Sequence, residues 1–273
     1  MNRPNFDIDV YNNLEVLLQK CRQEYRRGVE DLRYLEAFDD WVHAPNCLDS
    51  TVLKLTRLDD ETINSIRSEY FAFRLQLIRR SKYLKSMWPN PSKEKTFDLI
   101  EVLLRPNLQT ILDRIGHFAI TQLELSTAVA STHSKSEGWH FDPSPSSHYK
   151  IIFYFSADQT HDGCTQYAPE NFSRSLITEG YNNIAPQLRR SSLTDTNIDP
   201  VIYSQRDQGE TVLFSPATTC HRAVYPSKGA RHTITLSLLA SEQVDDWRLA
   251  SEAVYDVSKL SGIPLYARWP NFS

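Results

Sequence analysis

The sequence predicts a mainly β domain, a sandwich or barrel of short strands, braced by helices that come first in the chain. Three observations carry that expectation. Up to about residue 117, apolar residues recur mostly at helical spacing. From Phe118 onward, short segments alternate apolar and polar and are separated by turn-forming pairs such as Asp162-Gly163, Ser215-Pro216 and Lys228-Gly229. In the last of these segments Arg231, Thr233, Thr235 and Ser237 share one face, and Ile234, Leu236 and Leu238 the other. A polar row backed by an apolar row suits a barrel whose interior holds a charged ligand and whose outside is covered by helices.

Each element follows from its pattern. Leu14, Leu17, Leu18 and Cys21, then Leu32, Leu35, Phe38 and Val42, mark two amphipathic helices. Thr51 to Leu55 alternates like a strand. Asp59 and Asp60 are N-cap candidates for a helix running from Thr62 through Tyr70 to Leu77. A further helix is expected over residues 107–115, closed by Gly116. Strands follow at Phe118 to Thr127, Tyr149 to Phe155, Thr211 to Phe214 and Thr233 to Leu239, all rich in β-branched and aromatic residues. Residues 173–208 carry Ser, Asn, Asp and Pro with scattered apolar positions, the texture of a lid or binding loop. The division expected is one domain: a helical support over 1–117, a β core over 118–240 and a C-terminal extension over 241–273.

Bulk properties narrow the partners. The chain has 273 residues, 40% hydrophobic and 11% aromatic, enough for a sizeable core. A net charge of −4 gives no electrostatic reason to expect nucleic acid or an anionic membrane. Cys21, Cys47, Cys164 and Cys220 form no C-x-x-C pair, so free thiols in a reducing, cytoplasmic setting are expected. No apolar run resembles a signal core or a membrane span. A small-molecule partner is the expectation that remains, and oligomeric state is open.

The chemistry concentrates in a few residues. In a strand, His140 and Asp142 point to the same side while Phe141 packs away from them, so one short segment offers two ligands to one metal. His221 follows, next to a turn. Two imidazoles and a carboxylate can cap one face of a mononuclear iron(II) and leave the opposite positions open. Arg231 then supplies a forked cation for an organic acid. Each of these residues is commonplace alone; their order, each at a strand edge, is the signal. No catalytic group beyond the metal centre is expected.

These segments resemble the iron(II)/2-oxoglutarate-dependent oxygenases, nearest to their phytanoyl-CoA dioxygenase-like branch. Trp139-His140-Phe141-Asp142 resembles the family's W-H-x-D segment, and Gly163 to Pro169 its G-G-T-x-x-x-P strand with Cys164 in place of the second glycine. Gly209 to Phe214, Cys220-His221-Arg222-Ala223 and Arg231-His232-Thr233 complete the match, the last as the R-x-S/T co-substrate clamp. The resemblance spans about residues 50–240. It implies a double-stranded β-helix, the jelly roll also found in cupins, with helices packed on one sheet.

It implies further that His140, Asp142 and His221 bind Fe(II), and that Arg231 and Thr233 hold the distal carboxylate of 2-oxoglutarate. Lys150 and Tyr154, on the strand after the H-x-D turn, are candidate contacts to the same co-substrate. Trp139 and Arg222 are candidates to face the substrate. With O2, such an enzyme converts 2-oxoglutarate to succinate and CO2 and hydroxylates an unactivated C–H bond of a small metabolite or natural-product intermediate. Related halogenases lack a carboxylate where Asp142 stands, so hydroxylation is the default. Desaturation, epimerisation and cyclisation remain open. The other readings are a cupin-like metalloprotein with isomerase or hydrolase chemistry, and a ligand-binding barrel without catalysis. His133, His148, His161 and His232 lack the ordered spacing and are read as non-ligands.

Overall fold

In the computed structural model, residues 52–71, 84–85, 92–129, 138–142, 148–155, 163–178, 209–240 and 244–260 are described. The two helices expected before residue 50 and most of the 173–208 segment lie outside them. The elements are β1 (Leu53–Leu55), α1 (Asp60–Ile66, continued by a π turn over Arg67–Phe71), β2 (Leu84–Lys85), α2 (Lys93–Leu104) and α3 (Leu108–Ile115). There follow β3 (Phe118–Val129), β4 (His148–Tyr154), β5 (Thr165–Tyr167), α4 (Glu170–Thr178), β6 (Thr211–Phe214), β7 (His221–Ala223), β8 (Ala230–Ala240) and α5 (Trp247–Leu260).

Six strands form one antiparallel sheet in the order β1-β6-β4-β8-β3-β2, and β5 pairs with β7 in a second, two-stranded sheet. β8 is central, with Thr233 opposite both Ser126 of β3 and Tyr154 of β4. β1, upstream of the expected β core, joins the large sheet by pairing Leu53 with Leu213. The supporting segment therefore contributes strand as well as helix. The described residues comprise antiparallel sheets, with α1, α2, α3 and α5 on one face of the larger.

Period-two alternation gives the large sheet two unlike faces. On one, Leu123, Leu125, Ile151, Phe153, Leu213, Ile234, Leu236 and Leu238 bury against helices that bring Ile63, Phe97, Ile100, Leu103 and Ile111. Each such side chain, fully buried, contributes about 1.5–3 kcal/mol. On the other, Ile152, Tyr154, Val212 and Phe214 meet Tyr167 of β5, which places the small sheet over this inner face.

Local signals explain the helix ends. Asp59 caps α1 by accepting from the Thr62 N–H at 2.8 Å. Gly116, at φ 72°, ends α3 in the left-handed region that glycine tolerates. α2, capped by Ser92, has no counterpart among the sequence expectations. α5, within the expected C-terminal extension, lies against β3. Its Ser251 hydroxyl accepts from the Ile120 N–H at 2.8 Å, where the β3–β8 register shifts. Among the described residues no helix is long and apolar enough to cross a membrane.

Candidate metal centre

His140 and His221 meet because their backbones do. They form an antiparallel bridge and exchange both N–H···O bonds at 2.9 Å. Directly opposite residues of such a pair project to the same side, and the ring centroids lie 4.5 Å apart. Asp142 is fixed by its own N–H donating to the Pro216 carbonyl at 2.8 Å, in the turn that leads into β7. Its Oδ1 lies 3.6 Å from His140 Nε2 and 3.9 Å from His221 Nε2. One ligand atom from each residue falls within 4.8 Å of the others, close enough to hold one metal ion.

The protonation pattern suits ligation. His140 Nδ1 lies 2.7 Å from the Gly138 carbonyl, and His221 Nδ1 2.8 Å from the Thr219 carbonyl. A carbonyl only accepts, so each Nδ1 carries a proton and each Nε2 is the nitrogen turned toward Asp142 and free to ligate a metal. Burial, with His140 nearby, pushes His221 down to about 3, which keeps that ring neutral at ordinary pH. Burial alone would raise the Asp142 carboxyl. The Lys150 ammonium, with the two imidazoles, outweighs it and holds the group well below the usual carboxylate range. Phe214 abuts His221 edge-on, its ring centroid 5.1 Å away, and walls off one side.

The other expected site residues take distinct places. Lys150 projects from β4 and forms an ion pair with Asp142 Oδ2, leaving Oδ1 for the histidine side. Arg231 donates through Nη1 to the Val224 carbonyl at 3.0 Å and lies over the Tyr225 ring, while its buried Nε has no partner among the described residues. Thr233, one inner-face position further along β8, shares a 2.7 Å hydroxyl contact with Ser126. Tyr154 stands across from Thr233 and donates to Thr165 Oγ1 at 2.9 Å. Burial raises its phenol to about 12, against the pull of Arg231. Arg231, Thr233 and Tyr154 thus form one polar group along the inner face. Trp139 is buried, with the Arg222 guanidinium stacked over its ring and anchored to Gln166 Oε1 at 2.7 Å.

Two contributors escaped the sequence reading, Ser126 and Thr165, which hold Thr233 and Tyr154; His148, read as a non-ligand, is not among the three residues that converge. The alternation His148-Lys150-Ile152-Tyr154 already places His148 on the inner face. His232 belongs to the opposite face, bonded to Thr127 Oγ1 at 2.9 Å and packed against Phe71.

No protein-family model matches the chain, and no curated protein matches it by sequence. Solved structures do show similarity. AviO1 from Streptomyces viridochromogenes Tue57 shares 13% identity at a TM-score of 0.43, over 77% of this chain and 97% of that one. ThoJ, a non-heme monooxygenase, shares 12% at a TM-score of 0.47, over 73% of this chain and 77% of that one. SnoK, a non-heme alpha-ketoglutarate-dependent carbocyclase from nogalamycin biosynthesis, shares 13% at 0.41, over 73% and 83%.

Proposed function

We propose that this protein is an Fe(II)/2-oxoglutarate-dependent oxygenase on a double-stranded β-helix, hydroxylating a C–H bond of a small molecule. The observation that carries the proposal is the convergence of His140, Asp142 and His221 from two paired backbone segments, with both Nε2 atoms near one carboxylate oxygen. Two imidazoles bound through Nε2 and a carboxylate fit ferrous ion and would leave the metal a net positive charge, which favours a chelating dianionic acid. When bound, iron and 2-oxoglutarate supply the activation of O2 and the oxidation of the substrate, with release of succinate and CO2.

The chain's own residues orient and shield. The backbone carbonyls of Gly138 and Thr219 fix both ring orientations. Lys150 holds Asp142 by one oxygen, so its role is to aim a ligand, which differs from the co-substrate contact its position first suggests. Arg231, with an unused Nε, and Thr233 offer the distal carboxylate of 2-oxoglutarate a cation and a hydroxyl. Tyr154 closes that end of the inner face.

Anaerobic addition of Fe(II) and 2-oxoglutarate tests the reading. A weak visible metal-to-ligand charge-transfer band is expected, followed in air by succinate release. Tight metal binding with neither signal would instead mark a cupin-like isomerase or hydrolase. Arg231→Gln should raise the 2-oxoglutarate concentration needed for half the band by roughly tenfold or more, the effect of losing a charge-assisted contact, with metal affinity unchanged.

A further inference from the structure

His148 is 4% exposed, and neither ring nitrogen has a hydrogen-bond partner among the described residues. A buried imidazole left this way costs free energy, so its position calls for a reason. Strand alternation puts it on the inner face, next along β4 from Lys150. Lys150, its inner-face neighbour, pairs with Asp142, so His148 stands one position along the strand from the partner of a metal-ligand candidate.

Directly across from His148 stand Leu239 of β8 and, beyond it, Ala119 of β3, both buried; polar groups begin one inner-face position further along. Ser237 of β8 stands opposite Lys150 on one side and opposite Gln122 of β3 on the other, and Thr235 stands opposite Ile152 and Glu124. Among the described residues, the side-chain hydrogen bonds within this group sit at the outer limit of distance: Ser237 Oγ to Gln122 Oε1 at 3.5 Å and Gln122 Nε2 to Glu124 Oε2 at 3.5 Å. Much of its donor and acceptor capacity is therefore available to a ligand. Among the described residues the cation in this part of the face, Lys150, is paired with Asp142, whereas Glu124 presents an acceptor-only carboxylate.

We infer that His148, Gln122, Glu124, Thr235 and Ser237 form the primary-substrate subsite, recognising a small molecule rich in hydroxyl and amine donors. An aliphatic acyl chain would leave these groups unpaired, and an anion would meet Glu124. The neutral imidazole of His148 accepts at one nitrogen and donates at the other, and so anchors a hydroxyl in either sense. This assignment rests on the metal-centre reading above, because it is the substrate's place beside those ligands that gives the subsite its use.

Thermal melting of the Mn(II)-loaded protein separates the two. Mn(II) alone should raise the melting temperature; without that rise the metal centre itself is wrong. Given the rise, glucosamine at millimolar concentration should add about 2–4 °C, and octanoate nothing. His148→Leu and Glu124→Gln should each keep the Mn(II) increment and lose the glucosamine increment. Glu124→Gln, an isosteric change at a partly exposed position, keeps the test decisive should His148→Leu fail to fold. A glucosamine increment that persists in Glu124→Gln, an equal response to octanoate, or no glucosamine response beside an intact Mn(II) increment overturns the subsite.

Discussion

The two faces of the six-stranded sheet are built from alternate residues of the same strands, yet they differ in kind. Along β4 and β8 the helix-facing positions are Ile151, Phe153, Ile234, Leu236 and Leu238, all buried in one apolar cluster. The inner positions include His148, Lys150, Tyr154, Arg231, Thr233, Thr235 and Ser237, a polar row interrupted by Ile152 and Leu239. Stability is concentrated on one face and chemistry on the other, separated by a single residue step. Substitutions on the two faces should therefore fail in different assays.

The largest effect should come at the ligands. His221→Ala removes one of three donors and leaves Asp142 and His140 to bind alone. Affinity for Mn(II), read by calorimetry, should fall by at least about 100-fold, while the far-ultraviolet dichroism stays that of the wild type. Loss of folded signal instead would mean that the inner face carries the structure too, and the contrast between faces would break.

Next comes the reverse experiment. Phe153 is 1% exposed and packs among the helix-facing residues. Phe153→Ala should cost about 3–5 kcal/mol in a urea titration. Well below the new midpoint, Mn(II) affinity should be that of the wild type, since Phe153 points away from the ligands.

These patterns were unevenly legible in the sequence. The inner ligands were readable because period-two spacing makes His140 and Asp142, or Arg231 and Thr233, neighbours on one face whatever the rest of the chain does. β6 and the cap at Asp59 were readable for similarly local reasons. The pairing of His140 with His221 was not, since their bridge depends on how the intervening strands return. α2 carries Phe97, Ile100, Leu103 and Leu104 at helical spacing, so its signal is local and present in the sequence. β1 reads as a strand, yet nothing local says that it joins β6. Ser126 and Thr165 look like ordinary strand residues, and only cross-strand register shows what they hold.

Acid should expose the inner face before the outer one. Burial, with Lys150 nearby, pushes His148 down to about 3, and burial does the same to His221. In the unfolded chain both titrate near about 6.5. Below that value the unfolded state binds more protons than the native one, so stability is present in full above about 6.5 and is lost as pH falls toward about 3. Asp142, held low in the native state, adds a loss of the same sign at still lower pH. The urea midpoint should fall between pH 7 and pH 4, and His148→Leu should shrink that fall. A midpoint unchanged from pH 7 to pH 4 would show that these rings are not excluded from water.

The smallest effect contrasts two buried polar side chains. Asn107, 2% exposed before α3, accepts from the Thr56 N–H at 2.7 Å and donates to the Thr56 carbonyl at 2.9 Å, tying the end of β1 to the helices. Both halves of its amide are used, the mark of a structural polar residue, whereas His148 uses neither nitrogen. Asn107→Ala should cost about 1–3 kcal/mol by leaving the Thr56 backbone unpaired and leave Mn(II) affinity unchanged. Asn107→Asp restores the acceptor but not the donor, and its charge is buried, so it should not rescue. His148→Leu should reverse the pattern at neutral pH, with little lost in the urea titration because no hydrogen bond disappears. A loss from His148→Leu as large as that from Asn107→Ala would mean that His148 belongs with the structural residues, and the division between the two faces would have to be redrawn around it.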